Sequence, residues 1–515
     1  MKNHSFLLLF CLAAFCSMAQ GTFQKSYSGA GDEFGFKLDV NRANGVVLSG
    51  TELNSGKGMF LVCTDSTGDT LFTRHYGNGN QYGGPVLLSG NEIILSGNEW
   101  DPIGSDNILI LMKIDSNANV LWKKNYCCGF PYTLTQNFDG GYLVCGYTVW
   151  NMDVWSTLIK TDDNGNPDWI RFYPSGDLSE GYAARQTSDS GFIVAGQDCD
   201  ATYCYATLMK LDPGGYVSWS KRFLFGGNLT AAFDVKQTPD GGFILLGVLY
   251  GNYNWPVLIK TDSLGNVTWS KKYDAMNAYG YALEVTPDSG FALGCTHLDT
   301  ATQRLYPTLI KTDQNGNVQW GKKYLTSTDA GNNSWITIKR SKDNGYYLVS
   351  TTDTLGNGTH DMLLIKTDSA GNTSCLDQAI PVAATPGTIV ASTNTVTSSP
   401  GTQLTPMSLP SDAGCDVIDL CAAPSGIHPS PAAKPEIAVT FENGMLTCNI
   451  PFTGKAYAAI YDLTGKLVML TDSREFTSGD TFEWKIGDGL SGLFIFHFVT
   501  EKETYTKKVL LKLNR

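Results

Sequence analysis

The chain has 515 residues, of which 17% are charged and 55 are glycine, and its formal net charge is −12. This length accommodates several domains, and the composition is typical of many short strands joined by tight turns rather than of a helical enzyme. The negative charge argues against nucleic acid or an anionic membrane surface as the main partner.

Residues 1–19 have the pattern of a signal peptide. Lys2 precedes a short apolar run over residues 6–15, and Ser17-Met18-Ala19 is a small-x-small cleavage site. We therefore expect export and cleavage after Ala19. No later stretch is apolar over the roughly 18 residues that a membrane helix needs, so we expect no transmembrane span.

A segment of about fifty residues recurs along the chain. Its consensus is Leu-Ile-Lys-Thr-Asp-x-x-Gly-Asn, and in six copies large aromatic residues follow the aspartate at +7 and +11, as in Trp269 and Tyr273. Asp-Gly-Gly or similar turns and apolar strands precede it, which gives four strands per copy. The aspartate occurs seven times, at Asp65, Asp115, Asp162, Asp212, Asp262, Asp313 and Asp368.

The seventh copy lacks its aromatic strand, because Cys375 stands seven residues after Asp368. The missing strand matches residues 23–27, where Phe23 and Tyr27 align with Trp269 and Tyr273. We therefore predict an all-β fold with a seven-bladed β-propeller over residues 20–376, in which the N-terminal strand completes the last blade. An open solenoid is the alternative, but it leaves the N-terminal copy unexplained.

The repeated aspartates are interpreted as turn residues rather than calcium ligands, since a carboxylate can accept the N–H groups of its own turn. The histidines are scattered and no CxxC pair occurs, so we expect no metal site. We also expect no cofactor. In an exported chain some cysteines should pair, and Cys199 with Cys204 is the best local candidate; Cys145 and Cys295 fall in apolar strands and are expected to be buried thiols.

Two further segments follow. Residues 377–436 are poor in charge and rich in Pro, Ser, Thr and Ala, which is typical of an extended linker or stalk. Residues 437–515 alternate apolar and polar residues and predict a small C-terminal β-sandwich.

The C-terminal segment resembles the type A C-terminal sorting domain of the type IX secretion system. The matching features are the Ile460-Tyr461-Asp462-Leu463 turn with Gly465-Lys466, the Leu490-Ser491-Gly492-Leu493-Phe494 strand start and the basic end Lys507-Lys508. Family members more often have Gly-x-Tyr where this chain has Gly492-Leu493-Phe494. The resemblance implies that residues 437–515 engage the secretion machinery, that they are removed, and that the protein is released or attached to the outer cell surface. The repeats also resemble propeller-like cargo found before such domains.

No catalytic residue is predicted. The repeat is similar to those of quinone-cofactor dehydrogenases and sialidases, but its spacing differs from both by one residue, and no arginine cluster for a substrate carboxylate accompanies it. The variable loops between the second and third strands are rich in aromatic residues, which can stack on sugar rings or on partner side chains, although rings that cap the core are the alternative. The candidate ligand-binding residues are Trp100, Trp150, Trp155, Tyr203, Tyr205, Tyr253 and Trp255.

The sequence therefore favours a secreted or cell-surface binding or adhesion protein without catalytic activity, whose partner is a glycan or a surface protein. The alternative is an extracellular enzyme that degrades polysaccharide or peptide at the mouth of the propeller channel.

Overall fold

A computed structural model describes most of the chain between residues 21 and 511, and it consists of strands, turns and loops. Contacts divide the chain into two compact units, Met1–Pro424 and Ser425–Arg515, which are described separately below. The described part of the chain contains no helix, and so none that is long and apolar enough to cross a membrane. The described residues are 21–29, 31–41, 44–53, 57–77, 81–90, 92–101, 106–126, 129–150, 153–175, 178–225, 230–274, 277–325, 328–329, 335–353, 360–393, 396, 399–400, 403–404, 411–412, 416–419, 439–442, 445–449, 454–461, 467–470, 474–477, 481–485, 492–500 and 504–511.

The all-β prediction is confirmed. Residues 23–367 form seven antiparallel four-stranded repeats, numbered 1 to 7, and a single parallel pair between Val154 and Leu178 joins repeats 3 and 4. Repeat 7 takes its fourth strand from the N-terminus. In chain order the strands are β1 (Phe23–Ser28); β2 (Asp32–Val40), β3 (Val46–Leu53), β4 (Gly58–Thr64) and β5 (Thr70–Tyr76) of repeat 1; β6 (Gln81–Ser89), β7 (Glu92–Asp101), β8 (Asp106–Ile114) and β9 (Val120–Tyr126) of repeat 2; β10 (Phe130–Gln136), β11 (Tyr142–Trp150), β12 (Asp153–Thr161) and β13 (Pro167–Tyr173) of repeat 3; β14 (Leu178–Gln186), β15 (Phe192–Cys199), β16 (Cys204–Leu211) and β17 (Val217–Phe225) of repeat 4; β18 (Thr230–Gln237), β19 (Phe243–Leu249), β20 (Trp255–Thr261) and β21 (Val267–Asp274) of repeat 5; β22 (Ala278–Val285), β23 (Phe291–Asp299), β24 (Arg304–Thr312) and β25 (Val318–Tyr324) of repeat 6; β26 (Thr328–Asp329), which pairs with β24; and β27 (Thr337–Arg340), β28 (Tyr346–Asp353) and β29 (His360–Thr367) of repeat 7.

An Asp-x-x-Gly turn follows the third strand of every repeat except repeat 2, which has Ala118 in place of the glycine. In repeat 3 the Asp162 carboxylate accepts the N–H of Asn164 at 2.9 Å and that of Asn166 at 2.7 Å. Gly165 adopts a φ of 74°, a backbone conformation that residues with a side chain rarely adopt. The carboxylate therefore satisfies the turn's own N–H groups.

The aromatic residues of the fourth strands contact the turn of the following repeat, and wherever the second of them is a tyrosine its hydroxyl donates to a carbonyl of that turn. Trp122 of repeat 2 packs on Gly165 of repeat 3, and the Tyr126 hydroxyl donates to the Gly165 carbonyl at 2.6 Å. At the N-terminal strand Tyr27 donates in the same way to the carbonyl of Gly68 in repeat 1, at 2.7 Å. The repeated aromatic residues thus bind neighbouring repeats to one another.

The N-terminal strand β1 lies antiparallel to β29, with Tyr27 opposite Met362, and thus supplies the strand that repeat 7 lacks. Phe23 and Tyr27 are buried in one cluster with residues of β3, β4, β28 and β29. A terminal strand in this position joins the two ends of the repeat array through side-chain packing and a hydrogen-bonded ladder.

An extended linker or stalk was expected over residues 377–436. The described residues between 377 and 419, called the belt below, form seven short strands. Each of them pairs antiparallel with the fourth strand of one repeat, and the order runs backwards from repeat 6 to repeat 1 and ends at β1, the fourth strand of repeat 7. The pairs are β30 (Asp377–Ala379) with β25, β31 (Ala383–Pro386) with β21, β32 (Ile389–Thr393) with β17, β33 (Ser399–Pro400) with β13, β34 (Gln403–Leu404) with β9, β35 (Ser411–Asp412) with β5, and β36 (Asp416–Asp419) with β1.

The second unit contains two antiparallel sheets. One has three strands in the order β37-β38-β42. The other has five strands: four lie in the order β40-β39-β43-β44, and β41 also pairs with β39. The strands are β37 (Val439–Glu442), β38 (Met445–Asn449), β39 (Gly454–Tyr461), β40 (Leu467–Leu470), β41 (Arg474–Phe476), β42 (Thr481–Lys485), β43 (Gly492–Thr500) and β44 (Thr504–Leu511).

Candidate ligand-binding site

The first strand of each of repeats 1 to 6 contains a β-bulge at the same position. In repeat 4 the register shifts between Gly181 and Ala183, so Tyr182 falls outside the ladder. An unpaired bulge residue can be aimed away from the sheet, which is why bulges often occur beside functional sites. The residues at this position are Phe36, Gly84 with Pro85, Tyr132, Tyr182, Phe233 and Tyr281, and Trp335 precedes the first strand of repeat 7.

Five of these rings form a closed circuit. The ring centroids are 5.0 Å apart for Tyr132 and Tyr182, 4.7 Å for Tyr182 and Phe233, and 5.1 Å for Phe233 and Tyr281. Trp335 completes the circuit at 4.6 Å from Tyr281 and 5.9 Å from Tyr132. These separations lie in the range of favourable aromatic pairs, so the rings hold one another in place.

A cavity of about 240 Å³ lies beside this circuit, and it is called the aromatic cavity below. Every one of the seven repeats contributes to its wall. Its lining residues are Phe36, Lys37, Gly83, Gly84, Asn98, Phe130, Pro131, Tyr132, Tyr147, Tyr182, Phe233, Tyr281 and Trp335. A concave, mostly apolar site with a few polar groups is the usual form of a small-molecule site.

The phenols of the cavity stay protonated over the physiological pH range. Burial raises the pKa of Tyr132, Tyr182 and Tyr281, and the nearby Glu180 carboxylate raises that of Tyr132 and Tyr182 further. The Tyr182 hydroxyl donates a hydrogen bond to Glu180, whose own pKa is raised by burial. The cavity therefore presents ring faces together with neutral hydroxyl groups.

A second cavity of about 120 Å³ adjoins the first and is lined by charged side chains from the same first strands. Phe233, Tyr281 and Lys37 border both cavities. Three ion pairs occur in this charged layer: Arg185 with Asp234 at 3.1 Å, Lys236 with Glu284 at 3.3 Å and Lys339 with Asp39 at 3.6 Å.

Lys37 lies at the junction of the two cavities. It is half-buried, and removal of its amine from bulk water lowers its pKa to about 8. Asp234 opposes this shift, while Arg185, Lys339 and Lys236 add to it. Among the described residues that line the aromatic cavity, Lys37 is the only one with a charged side chain.

The aromatic residues predicted from the sequence lie elsewhere, on the hairpins between the second and third strands. Tyr203 and Tyr253 are 39% and 54% exposed, whereas Tyr205 and Trp255 are half-buried. Trp155 is half-buried near Phe172. Trp100 and Trp150 lie on strands β7 and β11, and their side chains are outside the described residues.

Two of these hairpin rings face a cation of their own repeat. The Arg222 guanidinium lies 5.0 Å from the Tyr205 ring, and the Lys272 amine lies 4.6 Å from the Trp255 ring. Among the described residues, the structure brings the predicted rings together only in pairs. The ring centroids of Tyr253 and Trp255, for example, are 6.3 Å apart, and these two residues border a groove that is also lined by His297. One face of the Tyr205 ring and one face of the Trp255 ring are thus in contact with a cation of the same repeat and are not free to contact a ligand.

Cys199 and Cys204 form a disulfide across the hairpin that carries Tyr203. Cys145 and Cys295 are buried free thiols, and burial raises the pKa of the Cys145 thiol to about 12. These two thiols are therefore core residues rather than nucleophiles.

The bulge residues were not predicted from the sequence, although a signal for them exists. In four repeats an aromatic residue stands seven positions before the aspartate of the first turn, as Tyr182 stands before Asp189 and Phe233 before Asp240. Because one bulge residue interrupts strict alternation, this ring is displaced from the face that the strand pattern assigns to it.

No protein-family model and no curated protein matches the chain. Among solved structures it is similar to a protein of unknown function from Dyadobacter fermentans, at 12% identity and a TM-score of 0.39 over 57% of this chain and 95% of that one. It is also similar to Sqt1 from Chaetomium thermophilum, at 11% identity and a TM-score of 0.38 over 64% of this chain and 81% of that one. A tail fiber of the Staphylococcus aureus phage P68 aligns at 8% identity and a TM-score of 0.24 over 70% of this chain and 95% of that one.

Proposed function

We propose that this protein is an exported binding protein without catalytic activity, and that the aromatic cavity is its ligand site. The observation that carries the proposal is the convergence of rings from five repeats on one cavity to which all seven repeats contribute. Aromatic faces combined with neutral hydroxyls suit a small ring-shaped ligand, including a terminal sugar of a glycan.

The seven repeats are, in this proposal, the blades of a seven-bladed β-propeller that β1 completes. Two observations support this arrangement. The contact between Trp122 and Gly165 has its counterpart between Phe23 and Gly68, so repeat 7 meets repeat 1 as repeat 2 meets repeat 3. All seven first strands also border the charged layer. A ring of blades leaves no open end to the array.

Export rests on the sequence. The signal-peptide pattern of residues 1–19 and the resemblance of residues 437–515 to a type A sorting domain support secretion through the type IX system. The two antiparallel sheets of the C-terminal unit are compatible with a small β-sandwich. We therefore place the protein outside the cell or on its outer surface.

The enzymatic alternative has less support. Hydrolysis of a glycoside usually requires two carboxyl groups that flank the scissile bond. Among the described residues that line the aromatic cavity there is no carboxyl group. Glu180, which lies near Tyr132 and Tyr182, is held by a hydrogen bond from the Tyr182 hydroxyl.

Binding tests decide between the cavity and the exposed hairpins. The chain from residue 20 onward is titrated with mono- and disaccharides and with small aromatic compounds, and binding is followed by calorimetry and by tryptophan fluorescence. We expect Tyr281→Ala to weaken binding by about tenfold, because one ring of the wall is lost. Tyr253→Ala, which removes an exposed hairpin ring, is the matched control and should bind as the unaltered chain does. The opposite result would move the ligand site to the hairpins, and equal binding by both variants would remove the cavity proposal.

Export is tested by cell fractionation of the natural host. Deletion of residues 437–515 should retain the protein inside the outer membrane, whereas the full chain should reach the medium or the cell surface. Release that does not depend on these residues would contradict the sorting role.

A further inference from the structure

One cation of the charged layer, Lys37, has no ion pair among the described residues. The described layer contains four cations, and three of them are paired with Asp234, Glu284 and Asp39 as described above. The fourth, Lys37, forms no hydrogen bond or ion pair within the described part of the chain. It is also the cation that borders the aromatic cavity. One positive charge is therefore left at the base of the proposed ligand site, in a chain whose net charge is −12.

An ammonium group without a counter-ion is unfavourable away from bulk water, and an anion that reached it would remove this penalty. Lys37 is half-buried, and partial removal from solvent strengthens an electrostatic contact there relative to one on the surface. The remaining lining is apolar or neutral, so an anionic group in the cavity would have one cationic partner.

We propose that the aromatic cavity binds a ring compound that carries one carboxylate, with the ring against the aromatic circuit and the carboxylate at the Lys37 amine. This inference rests on the proposed function and names its ligand class. Two sources share this chemistry: a uronic acid at the end of an acidic glycan, and a small aromatic acid. The experiment separates them through its choice of probes.

The probes are two matched pairs, glucuronate with glucose and benzoate with benzyl alcohol. Binding to the chain from residue 20 onward is measured by calorimetry at constant ionic strength. We expect one of the acids to bind at least about tenfold more tightly than its neutral partner, since a charge-assisted hydrogen bond contributes that much. The pair that shows the preference identifies the source.

Lys37→Met tests the residue, because methionine keeps the length of the apolar stem and removes the charge. We expect this variant to lose the preference for the acid while it retains binding of the neutral partner. Lys339→Met is the matched control, since Lys339 belongs to the same layer but pairs with Asp39. It should keep the preference. Circular dichroism and the urea midpoint of each variant establish that it is folded.

The pH dependence gives a readout that a merely structural lysine would not produce. The pKa of Lys37 is about 8, whereas the carboxylate of either acid is ionised throughout the range above about pH 6. Acid affinity should be constant between about pH 6 and 7 and should fall above about pH 8, as the amine loses its proton, until the preference over the neutral partner is lost. The groups that face Lys37 are Asp234 and the cations Arg185, Lys236 and Lys339, and the tyrosines of the wall remain neutral because their pKa values are raised.

Failure of this inference differs from failure of the proposed function. If the neutral probes bind as tightly as the acids, or if Lys37→Met keeps the acid preference, the carboxylate assignment is overturned and the cavity remains a binding site. If none of the four probes binds at millimolar concentration, the inference and the proposed cavity function are both contradicted.

Discussion

A lysine of the third strand and an acidic residue near the start of the second strand form an ion pair in repeats 2 to 7. In repeat 5 the Lys260 amine lies 2.8 Å from the Asp240 carboxylate, which also accepts the Thr238 hydroxyl and the Gly242 N–H. The hydrogen bond from Lys260 is the largest of the effects that lower the pKa of Asp240 to about 2. In these six repeats the lysine thus stabilises the first turn, while the aspartate two positions after it stabilises the second.

Acid should weaken this interaction in a defined pH window. Because the pKa of Asp240 is lower in the folded chain than in the unfolded one, its contribution is complete above about pH 4 and is lost as the pH falls through about 2. The Asp240 side chain is 64% exposed, so solvent screening limits the effect to less than about 1 kcal/mol. We expect Asp240→Asn to lower the free energy of unfolding at pH 7 and to have little effect near pH 2. Urea unfolding of both chains at the two pH values measures this, and an equal loss at both would show that charge is not the cause.

At the scale of the element, the fourth strand and the glycine turn of the next repeat form the joint between repeats. A Cβ atom added at Gly265 would lie 2.7 Å from the Trp219 ring. Repeat 2 has Ala118 at the matching position, with a φ of 65°, and there the facing residue is the smaller Phe72. At this position the smaller ring accommodates the methyl group of Ala118.

Two glycine substitutions separate backbone strain from this contact. Gly265 and Gly241 have φ values of 77° and 81°, but a Cβ atom at Gly241 would meet nothing within 4 Å. We expect Gly241→Ala to cost about 1 kcal/mol, from the left-handed conformation alone. Gly265→Ala should cost about 1–3 kcal/mol more, since the Trp219 ring must shift. Urea midpoints of the two variants provide the comparison, and equal losses would mean that the ring accommodates the methyl group.

The strands and turns of the repeats were predicted from the sequence, whereas the bulge residues and the pairing of the belt were not. The period of about fifty residues, with Trp269 and Tyr273 as the model for Phe23 and Tyr27, led to the pairing of β1 with β29. The belt has no such period, and its pairing depends on fourth strands that lie far away in sequence. The charge on Lys37 was invisible for another reason: alternating charged residues on a first strand are equally compatible with a solvent-facing surface, until seven such strands are brought together.

At the scale of the whole molecule, the belt covers the outer strands of all seven repeats. An uncovered outer strand presents unpaired N–H and C=O groups to other chains. The belt also adds apolar contacts, since Ile380, Val382 and Ala384 pack against the cluster that contains Tyr273. Its last strand, β36, pairs with the free side of β1, so the strand that completes repeat 7 is held on both sides.

Removal of the belt should therefore affect stability and association together. We compare a chain of residues 20–424, which retains the belt, with one of residues 20–376, which lacks it. Each of the seven lost ladders includes backbone hydrogen bonds that contribute about 0.5–1.5 kcal/mol net apiece, so we expect the shorter chain to lose about 3 kcal/mol or more of unfolding free energy. We also expect it to self-associate in sedimentation experiments, because seven strand edges become available for pairing, whereas the longer chain stays monomeric. A shorter chain that is monomeric and has an unchanged urea midpoint would mean that the belt pairs with the repeats without stabilising them.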